Sequence, residues 1–182
     1  MKKYIDLWQY AGQILEQVGK GVLVTAKADG QVNPMTIGWG TLGVEWKKPI
    51  FTVFVRQSRH TKTLLDKNGE FTINVPVKDA DVKQILGVCG SRSGRDVDKV
   101  AELGLHLEEP DVISVPGIRE LPITLECRVI YKQDQNLNAL EESSRSRYYK
   151  PGTADDGNYH TAYYGEVLAA YKIGRASCRE RV

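Results

Sequence analysis

Between residues 4 and 18 the apolar side chains Leu7, Trp8, Ala11, Ile14, Leu15 and Val18 recur at three- and four-residue spacing, which predicts an amphipathic helix that Gly19 stops in a left-handed conformation. The pattern then changes. Residues 21–27 are short and β-branched, Asp29-Gly30 is a hairpin signal, and Val32, Met35 and Ile37 resume on the far side. Runs of strand length, rich in Val, Ile, Phe and Tyr, follow at residues 50–55, 71–75, 124–131 and 165–171, so at least six strands are expected. Helical pieces interrupt them at 61–67 after a His-Thr cap, at 79–88 with Val82, Ile85, Leu86 and Val88 as the apolar face, and from Asp96 to a stop at Gly104. Strands in hairpins without a βαβ rhythm argue for a mainly β protein, an antiparallel sheet or barrel with peripheral helices, and against a Rossmann sheet. Residues 136–158 are the longest expected loop, a candidate lid or subunit contact.

With 182 residues, 41% hydrophobic and 26% charged, the chain suits one globular domain and rules out disorder and coiled coil. It holds no apolar stretch of bilayer length and no signal-peptide core, so a cytoplasmic location and no membrane partner are expected. Cys89, Cys127 and Cys178 are odd in number and without CxxC spacing, so neither disulfides nor a metal site is indicated. Residues 174–182 read as an appended, non-native tail, placing the domain at 1–173 and leaving Cys178 without functional weight. Without that tail acidic and basic residues are equal in number, which speaks against nucleic acid as a partner.

Three segments carry candidate chemistry. Asn33-Pro34-Met35-Thr36-Ile37-Gly38-Trp39-Gly40 places amide, hydroxyl, glycine and indole groups where a plain core strand carries Val and Ile. Such a strand lets a polar heterocycle approach the backbone; a bulged edge strand with Trp39 in the core is the alternative. Arg56-Gln57-Ser58-Arg59-His60-Thr61 combines guanidinium and hydroxyl groups with a helix start, which suits a phosphate, or else is a solvated loop. Residues 89–99 form a Gly- and Ser-rich loop with Arg92, Arg95 and Lys99, again friendly to anions, while Asp96 and Asp98 suit capping better than metal binding. GxxxxGK[ST], HExxH and GxSxG do not occur, and the GxGxxG spelled by Gly38 to Gly43 does not stand in a βαβ unit, so triphosphate, dinucleotide, zinc-protease and α/β-hydrolase readings lack their parts.

Taken in order, NPMTIGWGTLGVEWKKPIFTVFVRQSRHTKTLL, GEFTINVP and CGSRSGRDVDKV resemble the flavin reductase-like family of FMN-binding split barrels, and within it the flavoredoxin-like branch, from Gly19 to Ile173. The resemblance implies a six-stranded antiparallel split β-barrel with flanking α-helices, a homodimer, and FMN held without covalent attachment near the subunit interface. It places Asn33, Met35, Thr36 and Trp39 beside the isoalloxazine, and Arg56, Ser58, Arg59, His60 and Thr61 on the phosphate and ribityl side. Lys99, with Ser93 and Arg95, adds positive charge near the phosphate or flavin, and Tyr163 or Tyr164 contacts the ring. Because the flavin carries the redox chemistry, no protein residue is expected to be catalytic. The implied activity is an NAD(P)H-dependent flavoprotein oxidoreductase passing electrons to a small-molecule or protein acceptor, with an FMN electron carrier and a non-catalytic ligand-binding module as alternatives. NPMT and the single Pro49 depart from the Ala-Asn-Gly motif and paired prolines of reductases that serve two-component monooxygenases, which argues against free flavin as the acceptor.

Overall fold

Asp29 and Gly30 hold positive φ angles of 51° and 78°, the conformation of a two-residue hairpin turn. The flanking chain pairs as β2 (Val22–Ala28) and β3 (Gln31–Ile37), with Ala28 opposite Gln31 and Val22 opposite Ile37. The structure, a computed structural model, describes residues 1–77 and 80–174; Asp79, Cys178 and the segment from Arg175 onward lie outside the described residues. A second tight hairpin, with Trp46 and Lys47 at positive φ, joins β4 (Gly40–Glu45) to β5 (Lys48–Arg56).

Together with β1 (Lys2–Tyr4), β6 (Glu70–Val75), β9 (Ile123–Asp134) and β10 (His160–Ile173), these form one antiparallel sheet in the order β3-β2-β6-β9-β10-β5-β4, with β1 also paired to β10. The expected split barrel is present, built on eight strands. Its split has a simple origin: β3 and β4 follow one another in sequence, separated only by Gly38 and Trp39, yet stand at opposite ends of the ladder. A separate small ladder pairs β7 (Leu107–Glu108) with β8 (Gly117–Ile118).

Alternation fills the interior. Val24, Ala26, Phe51, Val53, Phe71, Ile73, Leu125 and Tyr163 point into a core closed at one end by α1 (Leu7–Val18), whose buried residues are Leu7, Ile14 and Val18. Each large apolar side chain so buried contributes on the order of 1.5–3 kcal/mol. The opposite face of β6 is covered too, because Asn74 accepts from the Ile118 amide at 2.7 Å and Thr72 donates to the Pro116 carbonyl at 2.9 Å.

The helices differ in detail from the sequence pattern. α1 starts at Leu7, capped by the Asp6 carboxylate, because Tyr4 is taken by β1 opposite Tyr171. Gly19 keeps a right-handed φ of −64°, and the left-handed turn falls at Gly21. α2 (His60–Lys67) has His60 as its first helical residue, with Arg59 in the cap position and no side-chain cap, so the expected His-Thr cap does not form. α3 is Lys83–Ser91, later than the apolar pattern suggested. α4 (Lys99–Leu103) is capped by Asp98, which accepts from the Val100 and Ala101 amides at 3.0 and 3.1 Å; Asp96 lies in the preceding turn. Residues 136–158 are not a plain loop, since they contain a 3-10 turn and α5 (Glu142–Tyr148). No helix among the described residues is long and apolar enough to cross a membrane.

Candidate functional site

The split of the barrel is flanked by two cavities that share Met35 and Arg59. One, of about 130 Å³, lies between β3, the start of α2 and the loop from Arg92 to Lys99. Its walls include Asn33, Ser58, Arg59, His60, Thr61, Cys89, Arg92, Ser93, Gly94, Arg95 and Lys99. The three segments singled out by chemistry therefore meet there, although they are up to 66 residues apart in sequence.

Lys99 dominates this cavity. Its side chain is 3% exposed, and among the described residues no carboxylate or hydrogen-bond acceptor pairs with the ammonium. Burial, reinforced by Arg59, holds Lys99 below the ordinary lysine pKa. A charge so placed is costly unless something anionic joins it. Arg59 likewise has no acidic partner here, while Arg92 is paired with Glu102 at 2.9 Å and Arg95 donates to the Ser58 carbonyl at 3.0 Å. Burial of Cys89 beside Lys99 pushes its thiol up to about 11, so it lines the cavity as a neutral group.

Two further polar atoms in the same walls are buried without a partner: Asn33 Oδ1 and His60 Nδ1. Asn33 Nδ2 donates to Thr61 Oγ1 at 2.9 Å, and that hydroxyl in turn points at the Met35 sulfur at 3.3 Å. Gln31 donates its amide to the Gly94 carbonyl at 2.7 Å, which turns its Oε1 toward His60 Nε2 at 2.8 Å and keeps a proton on that nitrogen. Burial, then the charges of Arg95, Lys99 and Lys67, lower the His60 pKa. Gly94 completes the cradle: a β-carbon there would lie 2.1 Å from Asn33 Oδ1.

The second cavity, of about 180 Å³, runs along β3 to the split and is lined by Met35, Thr36, Ile37, Gly38, Trp39, Phe54, Arg56, Arg59 and His160. Trp39 is 40% exposed and stands 5.1 Å edge-on to Tyr148 and 4.9 Å from the His160 ring, so it forms a wall and not part of the core. Thr36 faces the cleft with its hydroxyl already committed to the Leu86 carbonyl at 2.7 Å. A cleft walled by β3 and Trp39, sharing Met35 and Arg59 with a cationic chamber, suits a ring bearing a phosphate on a short chain.

Residues 18–177 match the flavin reductase like domain. The chain belongs to the flavin reductase like family. Among its relatives, an uncharacterized protein of Archaeoglobus fulgidus is 32% identical over 59% of each chain, so this chain aligns with well under two thirds of that relative's length. The uncharacterized protein YddH of Escherichia coli is 29% identical over 93% of this chain and 79% of its own. Among solved structures, flavoredoxin from Methanosarcina acetivorans is 27% identical and superposes with a TM-score of 0.63, over 84% of this chain and 68% of its own. An FMN-binding domain of a flavin reductases-like enzyme from Shewanella baltica superposes with a TM-score of 0.67 at 23% identity, over 94% of this chain and 77% of its own, and supports the split-barrel fold.

Of the residues expected from sequence, Asn33, Met35, Ser58, Arg59, His60, Thr61, Ser93, Arg95 and Lys99 line the cationic chamber, and Met35, Thr36, Trp39, Arg56 and Arg59 line the cleft. Arg56 is less free than a phosphate ligand: its guanidinium is held by Asp155 at 3.0 Å and by the carbonyls of Tyr148 and Asn158. Ser58 is bound on both sides by Asn158. Tyr164 stands apart, packing with Trp46 and Tyr131 and facing a different cavity beside Leu137 and Leu140; Tyr163 is buried with its hydroxyl on Asp66. The sequence reading missed Gly94, Phe54 and His160. The first was within reach, since a Gly-Ser loop between cations signals close approach; Phe54 comes beside Trp39 through the β4–β5 hairpin, and His160 only through the β5–β10 pairing.

Proposed function

We propose that the chain is an FMN-dependent oxidoreductase of this family, binding the cofactor without covalent attachment. The observation that carries this reading is the buried, unpaired Lys99 ammonium in a chamber that also holds Arg59, Arg95 and two partnerless polar atoms. That donor set fits a phosphate monoester, which accepts charge-assisted bonds from ammonium, guanidinium and hydroxyl groups. Lys99, Arg59 and Thr61 hold the phosphate, and β3 from Met35 to Trp39 sets the plane of the ring. FMN supplies the redox chemistry when bound, and the protein orients the ring and excludes water from one face. NAD(P)H is the electron donor, and the acceptor is a small molecule or a protein.

The protein works as a homodimer in this reading. Trp46, Tyr131, Val44 and Ile130 are exposed large apolar residues, with Trp46 and Tyr131 in edge contact beside Tyr164, an arrangement that suits a second copy. Equilibrium sedimentation tests this directly, and a monomer at tens of micromolar overturns it.

The test of function is an absorbance spectrum after incubation with FMN and desalting, followed by anaerobic additions of NADH and NADPH. Retained flavin bands that either nicotinamide bleaches support the oxidoreductase; loss of all flavin on desalting overturns FMN binding. The similarity to a flavoredoxin favours a second reading, an FMN electron carrier. Flavin that is retained and reduced by dithionite, yet left oxidised by both nicotinamides, selects that reading.

A further inference from the structure

The cationic chamber has a sealed floor and a bridged rim. On the floor Asn33, Thr61, Cys89 and Lys99 are all buried. The rim is exposed, formed by Ser58 and Arg59 at the start of α2 and by Arg92 and Arg95 on the facing loop. Across that rim the Arg95 guanidinium donates to the Ser58 carbonyl at 3.0 Å. Both ends of this bridge are held from behind. On the loop side Gln31 donates to the Gly94 carbonyl at 2.7 Å, and Gly94 packs directly on the buried Asn33 side chain. On the α2 side Asn158 accepts from the Ser58 amide at 3.2 Å and donates to its hydroxyl at 3.0 Å. The chamber thus meets the cleft at Met35 and Arg59, and a hydrogen bond crosses its solvent side. Arg92, by contrast, is turned to Glu102 and bridges nothing across the rim.

We propose that the Arg95–Ser58 bridge sets cofactor specificity: it closes the chamber behind a terminal phosphate, so the site takes a flavin that ends in a phosphate monoester. A flavin whose phosphate continues into a diphosphate and a nucleoside, as in FAD, is rejected. This rests on the functional reading above, which seats the ring in the cleft and the phosphate in the chamber. A chain that enters from the cleft and continues past the phosphate has to leave through the rim, where Arg95 stands. Passing it means breaking a charge-assisted hydrogen bond and shifting a loop that Gln31 and Asn33 hold in place. Charge works in the same direction. A phosphate monoester carries about −1.5 to −2 at neutral pH, more than a diester, and Arg59, Arg95 and Lys99 line the chamber while no carboxylate among the described residues does. Discrimination comes from an obstacle to the wrong ligand as well as from attraction to the right one.

Calorimetric titrations of the full chain with FMN, FAD and riboflavin test this, with urea melts to confirm that each variant is folded. The unaltered chain should bind FMN about a hundredfold more tightly than FAD. Arg95→Ala should shrink that ratio about tenfold, chiefly through tighter FAD, with riboflavin unchanged. Arg95→Lys, which keeps a long cationic donor, should stay near the unaltered ratio. Asn158→Ala acts from the other end of the bridge. Asn158 lines neither cavity, yet its loss frees Ser58, so the ratio should move in the same direction by a smaller factor. An unaltered chain that binds FAD within about threefold of FMN overturns the proposal. So does an Arg95→Ala chain that loses FMN affinity with no gain for FAD, which makes Arg95 a direct phosphate ligand. An equal loss of all three flavins overturns it as well, since the bridge is then only structural. An unaltered chain that takes up no flavin overturns the functional reading and this proposal with it, whereas retained FMN with an unmoved ratio in Arg95→Ala overturns this proposal alone.

Discussion

Gly94 touches Asn33 across 61 residues of sequence, so closely that a β-carbon on Gly94 would meet Asn33 Oδ1 at 2.1 Å and Cγ at 2.8 Å. Neither side has room to give. Asn33 is buried and tied to Thr61, and His60 stands 3.0 Å from the same point. Gly94→Ala should therefore destabilise the fold by about 1–3 kcal/mol and displace the loop that carries Ser93 and Arg95. Thermal melts and FMN titration by fluorescence quenching check this, with both expected to fall together.

Lys99→Met should separate the two quantities. In the flavin-free protein the ammonium is buried without an anion, so removing it should raise stability by about 1 kcal/mol. FMN affinity should fall at least tenfold, since charge-assisted bonds are worth roughly 1.5–3 kcal/mol. Riboflavin, which lacks the phosphate, should bind the variant and the unaltered chain alike. Denaturant melts with and without each flavin give all three values.

Asp98→Ala removes the carboxylate that accepts two amides at the start of α4, where Lys99 is the first helical residue. The expected cost is about 1 kcal/mol of stability. Because the cap also sets the direction of Lys99, FMN affinity should fall with it, and Asp98→Asn should recover most of both in urea melts and titrations.

Acid should expose His160. Its pKa is about 4 in the folded chain against 6.5 for an unperturbed histidine, the result first of burial and then of Arg56 and Arg59. Between those values the unfolded chain binds a proton that the folded chain refuses, so the contribution of a neutral His160 is complete above pH 6.5 and lost as pH falls toward 4. Urea midpoints measured from pH 7 down to pH 4.5 should drop less steeply in His160→Gln than in the unaltered chain.

Much of the strand pattern was legible because alternation and hairpin turns are local signals. Asp29-Gly30 is the clearest case. Trp46-Lys47, a turn of the same sort, carries neither Gly nor Asn, so β4 was not separated from its surroundings. Caps were harder. Asp96 and Asp98 are equally good N-cap residues by composition, and only the fold shows which carboxylate reaches the free amides. At the site, Lys99, Arg59 and Asn33 could be named from their chemistry, whereas Tyr164 shares a face of β10 with His160 and is separated from the cleft only by its place along the strand, which the sequence does not show. His160 carried no signal at all: a lone histidine after a polar segment gains meaning only from standing opposite Arg56 in the β5–β10 register and against the Tyr149 hydroxyl.

The unbonded seam between β3 and β4 has a consequence for the lifetime of the molecule. No backbone hydrogen bonds hold those two strands to each other, yet both cavities draw walls from β3 and from segments on the other side of the seam. A ligand seated there acts as a rivet for the ring of strands, present only in the folded state. Its free concentration thus sets the folded fraction by mass action, adding about 2.7 kcal/mol at a hundredfold excess over its dissociation constant.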